Sequence, residues 1–203
     1  MTERPRIAAV ILAAGQSSRY RAADPSAVSK VVATLAGKPL VRHVVEAAFA
    51  ADLDPVVVVT GFAREASVAA LEGLAVSFVH NLSFASGLSS SLKTGVASLP
   101  DDVAGAAILL ADMPRVSGDL LHTLAAVFHD NPHASALAPN LNGQRGNPVF
   151  IRRALFDDVA RLEGDVGARA LLRGRSDVID VAMDDEAVAF DVDTPDALTA
   201  RDA

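Results

Sequence analysis

Ile7-Ala8-Ala9-Val10-Ile11-Leu12-Ala13-Ala14-Gly15-Gln16-Ser17-Ser18-Arg19 is the stretch whose reading decides the fold. An unbroken apolar run from Ile7 to Ala14 stops at small residues, then gives way to a Gly-Gln-Ser-Ser turn and a cation. Such a run suits a strand covered on both faces, as at the centre of a parallel sheet. Small residues at its carboxyl end let backbone lie close to a ligand, and the turn can offer N–H groups to an anion. Arg19 adds a permanent positive charge nearby. The stretch therefore predicts a nucleotide-phosphate site at the start of an α/β domain.

Composition bounds the rest. The 203 residues are 51% apolar but only 4% aromatic, with no Trp, so the core must be built from Ala, Val, Leu and Ile. That length suits one domain, 1–203, with ample core. The apolar runs 56–59 and 106–110 are strand-sized, and residues 1–6 form no signal-peptide core, so no membrane partner is expected and a cytoplasmic location is the simple reading. The absence of cysteine excludes disulfides, thiolate metal sites and a Cys nucleophile. The formal charge of −7 comes without any Lys/Arg block, so nucleic acid is not an expected partner either. An anionic substrate would need local cations or a divalent metal.

Strand-like runs at 7–13, 55–60, 75–79, 104–110 and 134–138 alternate with helical patterns near 39–51, 63–72, 88–98, 117–129 and 152–159. This alternation predicts parallel strands joined by crossover helices. After Pro139 the polar segment 140–147 and the short strand 148–151 read as a hairpin excursion from the sheet.

Four segments can carry chemistry. The first runs from Ala13 to Lys30; it has neither G-x-G-x-x-G nor G-x-x-x-x-G-K-[ST], so its alternative is an ordinary βα turn. The second is Ala111-Asp112-Met113-Pro114, a carboxylate at the carboxyl end of a strand-like run. It is either a Mg²⁺ ligand or a group that ends the strand or caps the helix at 117–129. The third is Asp191-Val192-Asp193-Thr194-Pro195, whose two carboxylates point to one side of an extended chain; Thr194-Pro195 also reads as a helix start. The fourth, from His80-Asn81 to Gly87-Leu88-Ser89-Ser90-Ser91, opens a helix whose hydroxyls and N–H groups can hold an anion, or simply cap it. The polar tip 142–147 carries Arg145, Gly146 and Asn147 next to Pro148, as a second-substrate contact or an exposed loop. Neither a zinc spacing nor a G-x-S-x-G signature is present.

The ordered set, Leu12-Ala13-Ala14-Gly15-Gln16-Ser17-Ser18-Arg19, Lys30, Val59-Thr60-Gly61, Asn81…Gly87-Leu88-Ser89-Ser90-Ser91, Ala111-Asp112-Met113-Pro114, Gly143…Gly146-Asn147-Pro148 and Asp191-Val192-Asp193-Thr194-Pro195, resembles the MobA/MocA-like nucleotidyltransferases. The likeness is strongest to the molybdenum cofactor cytidylyltransferase branch. It implies a Rossmann-like nucleotidyltransferase fold, a mostly parallel sheet with helices on both faces. It also implies transfer of CMP from CTP to the phosphate of a molybdopterin-type cofactor, with release of pyrophosphate. By the resemblance, Leu12 to Arg19, Lys30, Thr60, Gly61, Asn81, Gly87 and Ser89 bind the nucleotide. Ser90, Ser91, Arg145, Gly146, Asn147 and Pro148 face the acceptor. Arg19, Lys30 and Asp112 are the catalytic group, and Asp112 and Asp193 hold Mg²⁺. A molybdenum hydroxylase would be the receiving enzyme.

Related guanylyltransferases carry a second glycine where this chain has Ala14, and the extra methyl favours a pyrimidine over a purine. The chain departs from the family pattern after Arg19, where Tyr20-Arg21 and a longer loop containing Asp24-Pro25-Ser26 precede Lys30. Two alternatives stand beside the leading reading: nucleotidyl transfer to another sugar or alcohol phosphate, and a non-catalytic protein that binds or delivers a molybdenum cofactor.

Overall fold

The computed structural model describes residues 5–199, so residues 1–4 and 200–203 of the expected domain lie outside the described residues. In chain order the elements are β1 (Ile7–Ala13), α1 (Ser18–Ala23), β2 (Thr34–Leu35), β3 (Lys38–Pro39), α2 (Leu40–Ala50), β4 (Val56–Thr60), α3 (Arg64–Ala70) and β5 (Ser77–His80). They continue with α4 (Leu88–Ala97), β6 (Gly105–Leu110), α5 (Gly118–Asp130), β7 (Ala136–Leu141), β8 (Gln144–Arg145), β9 (Val149–Arg152), α6 (Phe156–Ala160), β10 (Val178–Ala182) and α7 (Asp196–Thr199). The main sheet runs β10-β7-β9-β6-β1-β4-β5, with β8 paired to β7. β9 runs antiparallel to both of its neighbours, and the other ladders on this path are parallel.

The opening run forms the strand expected of it. Every residue of β1 is buried, between β4 and β6. Its side chains alternate between two cores, as the two-residue period of a strand requires. Ile7, Ala9, Ile11 and Ala13 pack with α2 and α5, through residues such as Val41, Val45, Leu121 and Leu124. Ala8, Val10 and Leu12 face the other side, toward Leu92 and Val96 of α4 and Val159 of α6. Helices therefore cover both faces, and the expected α/β class is present.

The elements unseen in the sequence include the two-residue strands β2 and β3, which pair with each other, and also α1 and β10. α1 has six residues and buries only Tyr20, too little to generate a helical period. β10 is a half-exposed edge strand with Asp180 at its centre, so it lacks the apolar run that marks the inner strands. The helix expected near 152–159 begins as a 3₁₀ turn at Arg153–Leu155 and becomes α-helical only at Phe156. The excursion after Pro139 is a hairpin as expected, formed by β7 and β8, and it returns as β9 between β6 and β7.

α4 sits close to the sheet because Gly95 lacks a side chain. A Cβ there would lie 2.4 Å from Val10 Cγ1 and 2.8 Å from Val59 Cγ2. Alanine in a helix interior gains about 1 kcal/mol over glycine, but overpacking a core costs about 1–3 kcal/mol, and both clashing atoms belong to central strands. Gly95→Ala is expected to be net destabilising by up to about 2 kcal/mol, read as a Tm lower by up to roughly 4–8 °C. An unchanged or higher Tm would show that α4 can move off the sheet freely.

Candidate active site

The chain leaves β1 toward β4 on one side, and later returns to place β6 on the other. Between such strands an open sheet leaves a crevice beyond their carboxyl ends. Here it is a cleft of about 640 Å³ bounded by the β1 loop, the turn before α4, Asp112 and the segment carrying Asp191 and Asp193. This volume is in the range of small-molecule sites.

The loop after β1 is anchored from behind. Ala14 O accepts a hydrogen bond from the Phe62 N–H at 3.2 Å. Gly61 is glycine because a Cβ would fall 2.6 Å from Ala14 O and 2.7 Å from Phe84 Cβ. Gly15 differs: it lines the cleft, has no left-handed φ, and nothing lies within 4 Å of where its Cβ would be. Its lack of a side chain leaves open space on the cleft side, as close approach of a ligand to backbone requires. Leu12, Gln16, Ser17, Ser18 and Arg19 line the same wall, whereas Ala13 points into the opposite core.

The long loop between Arg19 and Lys30 is held at both ends. Ser17 takes a left-handed conformation (φ 55°), and its Oγ accepts the Lys30 N–H at 3.1 Å and lies 3.0 Å from Ser29 Oγ. Between these points α1 buries Tyr20 against Leu40 and Val192, and Arg21 stacks on Phe62 at 4.7 Å. Asp24 then accepts from the Ser26 N–H at 3.0 Å and its hydroxyl at 2.6 Å, closing the turn read from Asp24-Pro25-Ser26. The added length is absorbed by a helix and a turn, and Lys30 reaches the cleft.

At the floor, charges converge. Lys30 Nζ lies 2.5 Å from Asp112 Oδ2 and 3.0 Å from Asp193 Oδ1, and Arg19 Nη1 lies 2.5 Å from Asp193 Oδ2. Asp191 is the third carboxylate: Asp112, Asp191 and Asp193 each present an oxygen, all within 4.8 Å of one another. Burial pulls the Lys30 ammonium pKa down, but its pairs with Asp112 and Asp193 outweigh this and hold it above that of a free lysine. The Asp191 carboxyl is pushed above the usual carboxylate range by desolvation, then by the charges of Asp193 and Asp112, with Lys30 opposing. With Asp165 also on the wall, the lining carries Asp112, Asp165, Asp191 and Asp193 against Arg19 and Lys30. A crowded all-oxygen carboxylate set that two cations only partly offset suits a hard divalent cation such as Mg²⁺ or Mn²⁺.

The helix-capping alternative for Asp112 is removed by Ser117, whose side chain caps α5 by accepting the Leu120 N–H at 3.2 Å. Asp112 is left to face the cleft, with the following Met113 N–H turned back to Leu110 O at 3.2 Å.

Other expected site residues stand behind the cleft. Thr60 is fully buried, its hydroxyl directed to Val79 O at 3.4 Å. Asn81 is buried and donates to Ser90 Oγ at 2.8 Å and Ser91 Oγ at 3.0 Å, bracing the first turn of α4; of the three, only Ser91 lines the cleft. Gly87 lines it with φ 103°, and a Cβ there would lie 2.5 Å from Gly164 O. Ser89 is buried, its hydroxyl bonded to Gly164 O at 2.7 Å. The anion-holding reading of this helix start is corrected: the Leu88 N–H is taken by Asp165 Oδ1 at 3.1 Å, the Ser89 N–H by Gly164 O at 3.3 Å and the Ser90 N–H by Gly87 O at 3.2 Å.

The 143–148 loop is not part of the cleft wall. Arg145 forms a two-pronged pair with Asp180, at 2.6 and 3.0 Å, and donates to Leu172 O at 3.0 Å; that pairing raises its pKa against the opposing effect of burial. Gly146 has no room for a Cβ, which would meet Val188 O at 2.4 Å, and the Asn147 N–H donates to Val188 O at 2.8 Å. Asn147 and Pro148 share a separate small crevice with Met113 and with Leu110, which also lines the cleft; Asn147 and Pro148 do not line it. Arg145 is thus committed to the sheet edge, and the acceptor-facing reading of this loop finds no cleft contact.

Two acidic residues of the cleft, Asp191 and Asp165, stand outside the roles assigned from sequence. Asp191 had a visible signal, its two-residue spacing from Asp193. Asp165 had none, because it meets α4 across 77 residues of chain.

The sequence matches the MobA-like NTP transferase domain over residues 9–180. Bifunctional protein GlmU from Rhodococcus jostii is 31% identical over 136 residues, 64% of this chain, and from Legionella pneumophila 35% over 130 residues. These alignments span only about a quarter of those longer proteins, 26% and 27%. Rv0371c from Mycobacterium tuberculosis superposes with a TM-score of 0.79 at 27% identity, covering 96% of this chain and 97% of that one. The same protein has also been solved as a manganese complex, with a TM-score of 0.76. A nucleotidyl transferase from Methanothermobacter, at 23% identity and a TM-score of 0.81 over 97% and 96% of the chains, shares the fold. The mostly parallel sheet with helices on both faces is thus the nucleotidyltransferase fold, and the chain belongs to the MobA-like NTP transferase family.

Proposed function

We propose that this chain is a single nucleotidyltransferase domain that transfers a nucleotidyl group from a nucleoside triphosphate to a phosphorylated acceptor, with CTP and a molybdopterin-type cofactor as the pair. The observation that carries the reaction class is the meeting of Lys30 and Arg19 with Asp112, Asp191 and Asp193 at one end of a cleft whose wall is the Gly15 loop. An acceptor phosphate oxygen forms the new bond to the α-phosphorus, the bond to the β-phosphate oxygen breaks, and pyrophosphate leaves. Little covalent work falls to the protein; orientation and fixed charge provide the acceleration. Asp112, Asp191 and Asp193 would hold a divalent ion, which when bound supplies charge neutralisation to the phosphates. Manganese in the complex of Rv0371c supports a divalent ion of this kind.

Lys30 and Arg19 bind phosphate oxygens in this scheme, and Gly15 with the neighbouring backbone lets the triphosphate lie against the loop. The base preference rests on the resemblance, in which guanylyltransferases carry glycine where this cleft wall has Ala14, and this supports CTP. The molybdopterin-type acceptor rests on the ordered motifs alone. That Lys30 reaches Asp112 and Asp193 despite the longer loop favours turnover over a carrier role.

With metal-depleted protein, pyrophosphate release is expected to need added Mg²⁺ or Mn²⁺ and a phosphorylated acceptor, and to prefer CTP to GTP. Equal use of all four triphosphates would overturn the base assignment, and release without any acceptor would overturn transfer. Asp112→Asn should lower the rate by at least about 100-fold, the loss typical of a removed charge-stabilising group, with unchanged circular dichroism. Ala14→Gly should narrow the CTP/GTP ratio by roughly tenfold, the worth of a methyl group in a pocket.

The raised Asp191 carboxyl gives a pH prediction. Because the folded state holds this proton more tightly than the unfolded chain, ionised Asp191 costs stability above the usual carboxylate range, and that cost fades as pH falls. Asp191→Asn should therefore raise the Tm of the metal-free protein at neutral pH while reducing the Tm gain on adding Mn²⁺. A lower metal-free Tm would contradict the electrostatic account.

A further inference from the structure

Asp191 and Asp193 lie on a stretch without regular secondary structure. From the end of β10 to α7 the chain forms only a short 3₁₀ turn at Glu186–Val188. Its backbone is tied to other segments by the Met183 N–H, which donates to Asn140 O at 2.9 Å, by Val188 O, which accepts the Asn147 N–H at 2.8 Å, and by the Val192 N–H, which donates to Asp112 O at 2.9 Å. In an extended chain alternate side chains face opposite ways. Val192 is fully buried in a small core with Tyr20 and Leu40, and Phe190 packs against that core, so Asp191 and Asp193 turn to the cleft.

Arg115 lies three residues beyond Asp112, just after Pro114. Its guanidinium carbon sits 3.8 Å above the centre of the Phe190 ring. Among the described residues it forms no ion pair with a carboxylate, although the acidic cluster is close in sequence on both sides of this stack. The distance is well inside the range of a cation–π interaction. Besides the Lys30 bridge from Asp112 to Asp193, two direct links therefore join the Asp112 turn to the 190–193 segment: one backbone hydrogen bond and one side-chain stack.

We propose that Arg115, stacked on Phe190, is a positioning residue that fixes Asp191 and Asp193 against Asp112 and so sets the affinity of the three carboxylates for a divalent cation. The inference rests on the reading of these carboxylates as cation ligands. Octahedral coordination of small divalent ions tolerates little displacement of its oxygens, and a ligand set divided between two chain segments keeps its geometry only if the segments are locked together. Electrostatics alone makes the opposite prediction. A cation beside a metal site repels the metal, so deleting Arg115 should tighten binding if charge is its only contribution.

Mn²⁺ binding measured by electron paramagnetic resonance, without nucleotide, separates these cases. Wild type, Arg115→Ala, Arg115→Lys, Phe190→Leu and Asp191→Asn are titrated, and Tm is recorded for each. The expected result is roughly three- to tenfold weaker Mn²⁺ binding for Arg115→Ala, the scale of one lost cation–π contact. Arg115→Lys should restore much of this, and Phe190→Leu should match Arg115→Ala. Should Arg115→Ala fail to fold, Phe190→Leu against wild type carries the same comparison. Equal or tighter binding in the Arg115→Ala and Phe190→Leu proteins, with Asp191→Asn still impaired, would overturn the positioning role and leave the cation site standing. Wild type binding no Mn²⁺, or Asp191→Asn binding as wild type does, would remove the cation site itself and this proposal with it.

Discussion

Four carboxylates facing two cations in a partly buried cleft is the constraint around which this molecule is arranged. Coulomb repulsion between like charges a few ångströms apart is strong where water is partly excluded, so the acids are tolerable only with counter-charge at hand. Lys30 supplies most of it, bridging Asp112 and Asp193 from a side chain that is 16% exposed. Arg19 neutralises the outer side of Asp193 while staying largely in solvent. Asp191 forms no ion pair among the described residues, and its carboxyl is held above the usual carboxylate range by desolvation and then by the charges of Asp193 and Asp112, with Lys30 opposing. The cluster is incompletely balanced, the condition in which an added divalent cation gains most.

Delivering those charges dictates much of the surrounding structure. Asp112 stands two residues beyond the carboxyl end of β6, a strand paired to the central β1. Lys30 comes from the far end of a loop that Ser17 fastens to the start of α1. Asp191 and Asp193 arrive on an irregular chain that crosses from the sheet edge. Tyr20, Leu40 and Val192 form a small core beneath this meeting point, so the arginine-bearing helix and the acid-bearing segment share one packed base. Tyr20, at the head of the longer loop, is one of the residues that fill it.

The legible parts of this fold were those with a strong local signal. β1 reads directly from its apolar run because both of its faces are buried, and Asp112 reads from its place after β6. α1 and β10 escaped because six residues make no helical period and a half-exposed edge strand carries no apolar run. At the site, the cleft wall from Leu12 to Arg19, and Lys30, Asp112 and Asp193, could be named in advance. Thr60, Asn81 and Ser89 could be named too, but their position one layer behind the ligand space depends on hydrogen bonds to partners distant in sequence. Arg145 shows the limit most clearly: an exposed cation in a polar loop reads as a ligand contact, and only the distant Asp180 reveals that its charge is spent. Asp165 was invisible for the same reason.

The central claim is that the three carboxylates share a divalent cation and that Lys30, which now occupies part of that space, turns to the phosphates when one is present. Diffraction at the manganese absorption edge from crystals grown with Mn²⁺ and a non-hydrolysable CTP analogue tests it most directly. The account predicts an anomalous peak within coordination distance of Asp112, Asp191 and Asp193, with Lys30 Nζ moved from Asp112 onto a phosphate oxygen. A peak elsewhere in the molecule, or an ordered analogue bound with Lys30 still paired to Asp112 and no metal among the acids, would contradict it.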